Sequence, residues 1–134
     1  MFKAEQISRI RAVLMSITAL ACFLYAVLAL VQNRPDPILW WIPGGFGAGS
    51  AVLIAVIYAL AGRTEMRAVM DELYMATITK AAAQAYWLSL AMFVAISALV
   101  VWAGYDWTTA YAVHGTFLGG SFLALFVWHD QRLG

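Results

Sequence analysis

The sequence predicts an all-α membrane protein, a bundle of four transmembrane helices with its N- and C-termini in the cytoplasm. Three observations predict it. First, 64% of the 134 residues are apolar and 11% are charged, whereas soluble domains average about 45–50% and about 25%. Second, four runs reach the length of about 20 apolar residues that a helix needs to cross a bilayer. Third, the 8 Lys+Arg and 7 Asp+Glu residues fall outside those runs or at their ends. With a mean hydropathy of +0.82, the chain has too few charges to clothe a water-soluble globule.

The first span is expected at about residues 12–32, with nothing in it more polar than Ser16 and Thr18. A basic segment precedes it, and Ala19-Leu20-Ala21-Cys22 hints at a lipoprotein cleavage site. Ala19 stands where such sites carry a large aliphatic residue, and cleavage would leave half a span, so the segment is expected to be retained. Asn33-Arg34-Pro35-Asp36-Pro37 is a turn by composition. The second span follows at about 39–62, opened by Trp40 and Trp41. Its Pro43 is tolerable in a first turn, whose amides lack helical acceptors.

A cytoplasmic connector covers about 63–82. Met66, Val69, Met70, Leu73 and Thr77 recur there at helical spacing, with Glu65, Arg67, Asp71 and Glu72 between them. It is expected to lie at the membrane interface or to carry spans two and three into water. Its functional reading is a docking surface for a partner, with Arg67, Asp71, Glu72 and Lys80 as the contact candidates. Asp71 and Glu72 suit the N-terminus of a long third helix, where the dipole favours anions. Lys80 can snorkel to the interface.

The third span is expected at about 83–104, opened by Tyr86 and Trp87, and the fourth at about 107–128, closed by Trp128. Gly104-Tyr105-Asp106 is too short for anything but a tight antiparallel hairpin between them. Every tryptophan sits near an expected interface, where an apolar ring and a polar N–H are both satisfied. Lys3, Arg9, Arg11, Arg63, Arg67, Lys80 and Arg132 lie on one side of this topology and Arg34 alone on the other. The Lys/Arg bias puts the termini and the connector in the cytoplasm.

Asp71-Glu72, then Lys80-Ala81, then Tyr86-Trp87 resembles a group of small uncharacterised bacterial four-helix membrane proteins. Those carry a D-E-R turn and a Lys-Ala pair before the third span. The resemblance covers roughly the middle fifth of the chain, and Leu73 stands where that group often has Arg. It implies a multi-pass protein of the bacterial cytoplasmic (inner) membrane and no particular activity.

The chemistry of the side chains excludes more than it assigns. A net charge of +1 without a basic cluster argues against nucleic-acid binding. The lone Cys22 permits no intramolecular disulfide and no Cys-rich metal site. No H-E-x-x-H, G-x-S-x-G, P-loop or dinucleotide fingerprint is present, so no enzyme, cofactor or metal is expected. Ionisable groups inside a span are the usual marks of transport, and spans one to three have none. Small multidrug exporters place a glutamate in their first span, where this chain has Ser16 and Thr18.

His114, about seven residues into span four, is the one ionisable group expected within the bilayer. It suits a hydrogen bond to a neighbouring hydroxyl or carbonyl. The alternative is a haem ligand, and His129 lies about 22 Å further along the helix axis, too far to share a haem in one chain. A symmetric dimer could pair two copies of His114.

Gly45-x-x-x-Gly49 in span two and Gly115-x-x-x-Gly119 in span four are helix-packing motifs. They are expected to meet inside one bundle, or one of them to build a homodimer. Gly44-Gly45-Phe46-Gly47-Ala48 and Gly119-Gly120-Ser121-Phe122 look faintly similar to motifs of dual-topology fluoride channels. That family places its first motif in span one followed by Arg-Tyr; here no Arg follows, and the charge bias opposes dual insertion.

The expectation is a non-enzymatic accessory, regulatory or assembly protein acting through helix packing and its cytoplasmic loop. The alternatives are an oligomeric channel for small ions or solutes and a haem-binding subunit using His114. Its partners would be the lipid bilayer and another membrane protein or a second copy of the chain.

Overall fold

The computed structural model describes residues 3–39 and 41–133, so Trp40 lies outside the described residues. The described chain forms α1 (Ala4–Gln32), α2 (Trp41–Leu60), the short α3 (Arg63–Val69), α4 (Glu72–Ala103) and α5 (Trp107–Leu133). Four of them, α1, α2, α4 and α5, are long and apolar enough to cross a membrane.

The helix ends follow from local chemistry. α1 begins well before its apolar run, because Gln6 Oε1 accepts the Lys3 backbone N–H at 3.1 Å and holds the first turn. It stops at Asn33, whose φ of 47° is left-handed. Asn tolerates that conformation better than most residues, and Pro35 and Pro37 follow. Asp71 caps α4 by accepting the Tyr74 N–H at 2.9 Å. α4 then runs unbroken for 32 residues to Gly104, which supplies the positive φ of 70° at its end. The connector is therefore not one amphipathic helix. It breaks at Met70–Asp71, giving α3 and the first turns of α4.

Contacts arrange the helices as a three-helix core, α1, α5 and α4, with α2 laid on the outer flank of α1. Near one end Ala26 and Ala29 of α1, Ile96 of α4, and Ala110 and Val113 of α5 are buried together. Near the other, Ala12, Ala81, Phe126 and Val127 do the same. Alanines make up half or more of each cluster because small side chains let helix backbones approach where lipid gives no hydrophobic drive for association.

A third cluster joins Ile7 of α1 and Ile57 of α2 to Ala61 and to Val69 of α3. The Glu65 carboxylate ties α3 down by accepting the Ala4 N–H at 2.9 Å. The helix ends meeting here are the start of α1, the end of α2, the start of α4 and the end of α5. This is the basal end. At the distal end Tyr25 donates to the Pro35 carbonyl at 2.7 Å and Tyr105 to the Leu30 carbonyl at 3.0 Å.

The four long apolar helices of the sequence expectation are thus present, with α2 held on the flank of α1. Of the α2 residues only Pro43 and Ile57 are buried. Its polar ties to α1 include the hydrogen bond between the Thr18 and Ser50 hydroxyls at 3.0 Å and that from Arg11 to the Tyr58 hydroxyl at 3.2 Å.

Candidate functional site

The densest polar chemistry lies at the basal end and centres on Arg11. Helix periodicity turns Arg11 inward, between α2, α4 and α5, and leaves it 3% exposed. Its Nη2 donates to both Asp130 carboxylate oxygens, at 3.0 and 2.9 Å. Its Nη1 donates to the Tyr58 hydroxyl at 3.2 Å. The guanidinium carbon lies 4.6 Å from the Tyr74 ring centroid and 5.3 Å from that of Phe126. Those two rings meet edge to face at 5.6 Å. Ser8 adds a donor to Asp130 at 3.3 Å. Ring faces and a carboxylate together offset the cost of removing a cation from water. One group is left over: Arg11 Nε is buried and has no hydrogen-bond partner among the described residues.

Beside this node lies a cleft of about 720 Å³ between α1, α3, the start of α4 and the end of α5. Glu5, Ser8, Arg9, Asp71 and Asp130 give it charge and hydroxyl groups, and Ala12, Val13, Ser16, Ile17 and Thr77 extend it along α1 and α4. Arg11 and Tyr74 also line it.

Sequence reasoning treated Arg11 as an orientation charge at the edge of a span and did not single out Asp130. The signal that could have paired them is positional. A cation just before the first span and an anion just after the last, in a chain with an even number of spans, come to the same membrane face. Tyr58 and Tyr74 lie at the same level on the remaining helices.

The residues that were singled out are scattered. His114 Nε2 lies 2.9 Å from the Ser89 hydroxyl and 3.2 Å from the Ser89 carbonyl, so α4 supplies the hydroxyl and carbonyl partners expected for it. Phe93 stacks edge-on at 6.1 Å. His129 is bonded to Gln84 Oε1 at 2.7 Å, also across α4 and α5. Among the described residues no three His, Cys, Asp or Glu side chains converge as a metal site.

The glycine motifs of α2 and α5 do not meet inside the chain, which corrects that expectation. A Cβ added at Gly49, Gly115 or Gly119 would meet nothing within 4 Å, and at Gly45 only the Trp41 ring of its own helix. The physical reason is the layout: α1 takes α2 on one flank and α5 on another. The close approach uses neighbouring glycines instead. A Cβ at Gly120 would sit 3.2 Å from Cys22 Cβ and Phe23 Cε1 and 3.3 Å from the Ala19 carbonyl oxygen. One at Gly47 would lie 3.9 Å from Thr18 Cγ2.

Arg67, Asp71, Glu72 and Lys80 are all exposed at the basal end or in the basal half of α4. They form no ion pair with one another. Comparison with protein-family models, curated proteins and solved structures finds no match for the chain.

Proposed function

We propose that this chain is a non-enzymatic subunit of the bacterial cytoplasmic membrane that works by assembling with another membrane-embedded helix, as an accessory or regulatory component. The observation that carries this reading is the one-sided packing of α2. Its Gly45 and Gly49 face no other helix of the chain. A glycine face exposed to lipid gains no close backbone contact, whereas a second helix seated on it gains dispersion and weak Cα–H···O bonds. The charged basal surface, with Arg67, Asp71, Glu72 and Lys80, offers the same partner a cytoplasmic contact. The Lys/Arg distribution supports the orientation, since Arg34 alone stands at the distal end.

The experiment is purification of tagged protein in mild detergent after native-level expression, with wild type and Gly49→Leu side by side. The wild type is expected to run as a complex whose mass tells a homo-oligomer from a hetero-complex. Gly49→Leu is expected to collapse it to monomer at an unchanged thermal midpoint. A wild type that is a solitary monomer overturns the reading.

A further inference from the structure

The basal cleft has the chemistry of a binding site, and we propose that it holds one zwitterionic phospholipid with an ammonium headgroup, of the phosphatidylethanolamine type. This inference does not depend on how the chain assembles.

The cleft changes character along its length. The stretch of α1 that lines it runs from Ala4 to Ile17, about 20 Å at the helical rise. A headgroup layer is only about 5–8 Å deep on each side of the hydrocarbon. A groove of that length therefore begins among headgroups and ends among acyl chains. Its charged residues all lie in the basal part, whereas α1 beyond Arg11 lines it with the uncharged Ala12, Val13, Ser16 and Ile17. Val13 and Ile17 are exposed, so the inner part opens sideways to lipid.

A separate observation points to an absent acceptor. Arg11 is a cleft-lining side chain, almost wholly buried, and its Nε–H has no partner among the described residues. Leaving such a donor unsatisfied is costly, and more so on a charged group. A phosphodiester oxygen entering beside Ser8 would supply the acceptor, with Arg9 at the mouth as a second cation.

The charges then select the headgroup. Two guanidinium groups, Arg9 and Arg11, share the cleft with three carboxylates, Glu5, Asp71 and Asp130. Arg9 pairs with Glu5 at 3.2 Å and Arg11 with Asp130 at 2.9 Å, so Asp71 is the cleft carboxylate without a cation partner among the described residues, and a purely anionic headgroup would leave it so. A phosphate joined to an ammonium satisfies both signs, and Asp71 is exposed where the ammonium can donate to it.

The test is native mass spectrometry of the full chain in mild detergent, titrated with phosphatidylethanolamine, phosphatidylcholine and phosphatidylglycerol of identical acyl chains, and with chain-free glycerophosphoethanolamine. Phosphatidylethanolamine is expected to bind about tenfold tighter than the other two lipids, a difference of about 1.4 kcal/mol. The chain-free headgroup is expected not to be retained. Ser16→Phe, which fills the groove from an exposed position, is expected to abolish the adduct. Asp71→Asn keeps a side chain that can cap α4 and is expected to erase the headgroup preference at an unchanged thermal midpoint. Equal retention of all lipids, preference for phosphatidylglycerol, retention of the chain-free headgroup, or indifference to Ser16→Phe each overturns the proposal.

Discussion

Arg11 shows how one residue can be read correctly for one role and missed for another. As a charge next to an apolar run it marks the membrane edge; in the folded chain it ties four helices together through Asp130, Tyr58, Tyr74 and Phe126. Breaking a buried pair from one side leaves a charge without compensation and costs about 3–5 kcal/mol, whereas replacing both partners by apolar groups is often neutral. Arg11→Met alone is therefore expected to destabilise the protein by about that amount in denaturant titrations. Arg11→Met with Asp130→Leu is expected to recover most of the loss. Additive losses in the double variant would show that the pair is not coupled. Asp106 is a simpler case. It precedes α5 and accepts hydrogen bonds from the Thr108 hydroxyl and backbone N–H. The hydroxyl first, and the backbone N–H groups after it, hold the Asp106 carboxyl below the ordinary carboxylate range. A depressed folded-state pKa means that its stabilisation is complete above the ordinary range. It is lost as pH falls from that range through the lower folded value. The thermal midpoint of wild type minus that of Asp106→Asn is thus expected to be constant near neutrality and to shrink only in strongly acidic buffer. A difference that shrinks already between pH 7 and 5 would contradict it.

At the scale of elements, the helices were legible and their neighbours were not. Apolar runs of spanning length, Asp71 before a helix and Pro35 and Pro37 after one are local signals, and the end of α1 and the start of α4 lie at such signals. Which face of α5 meets α1 is different, because in lipid every face is apolar and association is decided by backbone approach. Gly115 and Gly119 match the spacing rule and face open space, while Gly120, one residue on, carries the close contact. No pattern within α5 distinguishes these glycines; only the Ala19–Cys22–Phe23 surface opposite does. Gly120→Val is expected to cost about 1–3 kcal/mol by overpacking. Gly119→Ala is expected to be neutral or to gain up to about 1 kcal/mol from helix propensity. Denaturant unfolding of the two variants in micelles separates them, and equal effects would place the α1–α5 contact elsewhere. The α1–α2 seam is thinner. Ser50→Ala removes the hydroxyl pair with Thr18, and interhelical hydrogen bonds in membranes average about 0.6 kcal/mol, so a loss of that order is expected. A loss several times larger would mean that α2 depends on this bond rather than on Ile57, Ala61 and Pro43.

At the scale of the molecule, the same few charges act at two stages. On the proposed orientation, the basic residues act during insertion by the side on which they are counted, before any helix has found its partner. After folding, Arg11 and Asp130 are neutralised by each other, and Glu65 is used on the start of α1. This division explains why the long apolar helices are legible in the sequence and the basal site is not. Orientation depends on which loop holds a cation, a one-dimensional fact, whereas the Arg11–Asp130 pair depends on two chain ends separated by nearly the whole sequence. It also separates two consequences of one substitution. With Arg11→Met, Lys3, Arg9, Arg63, Arg67, Lys80 and Arg132 still oppose Arg34. The topology is therefore expected to persist while stability falls. Alkaline phosphatase fused after Asp106 is expected to be active, and a fluorescent protein fused at the C-terminus to fluoresce, in wild type and in Arg11→Met alike. An inverted or mixed reporter pattern in the wild type would overturn the orientation. Inversion confined to Arg11→Met would mean that this cation, rather than the sum of the basal charges, decides which way the chain inserts.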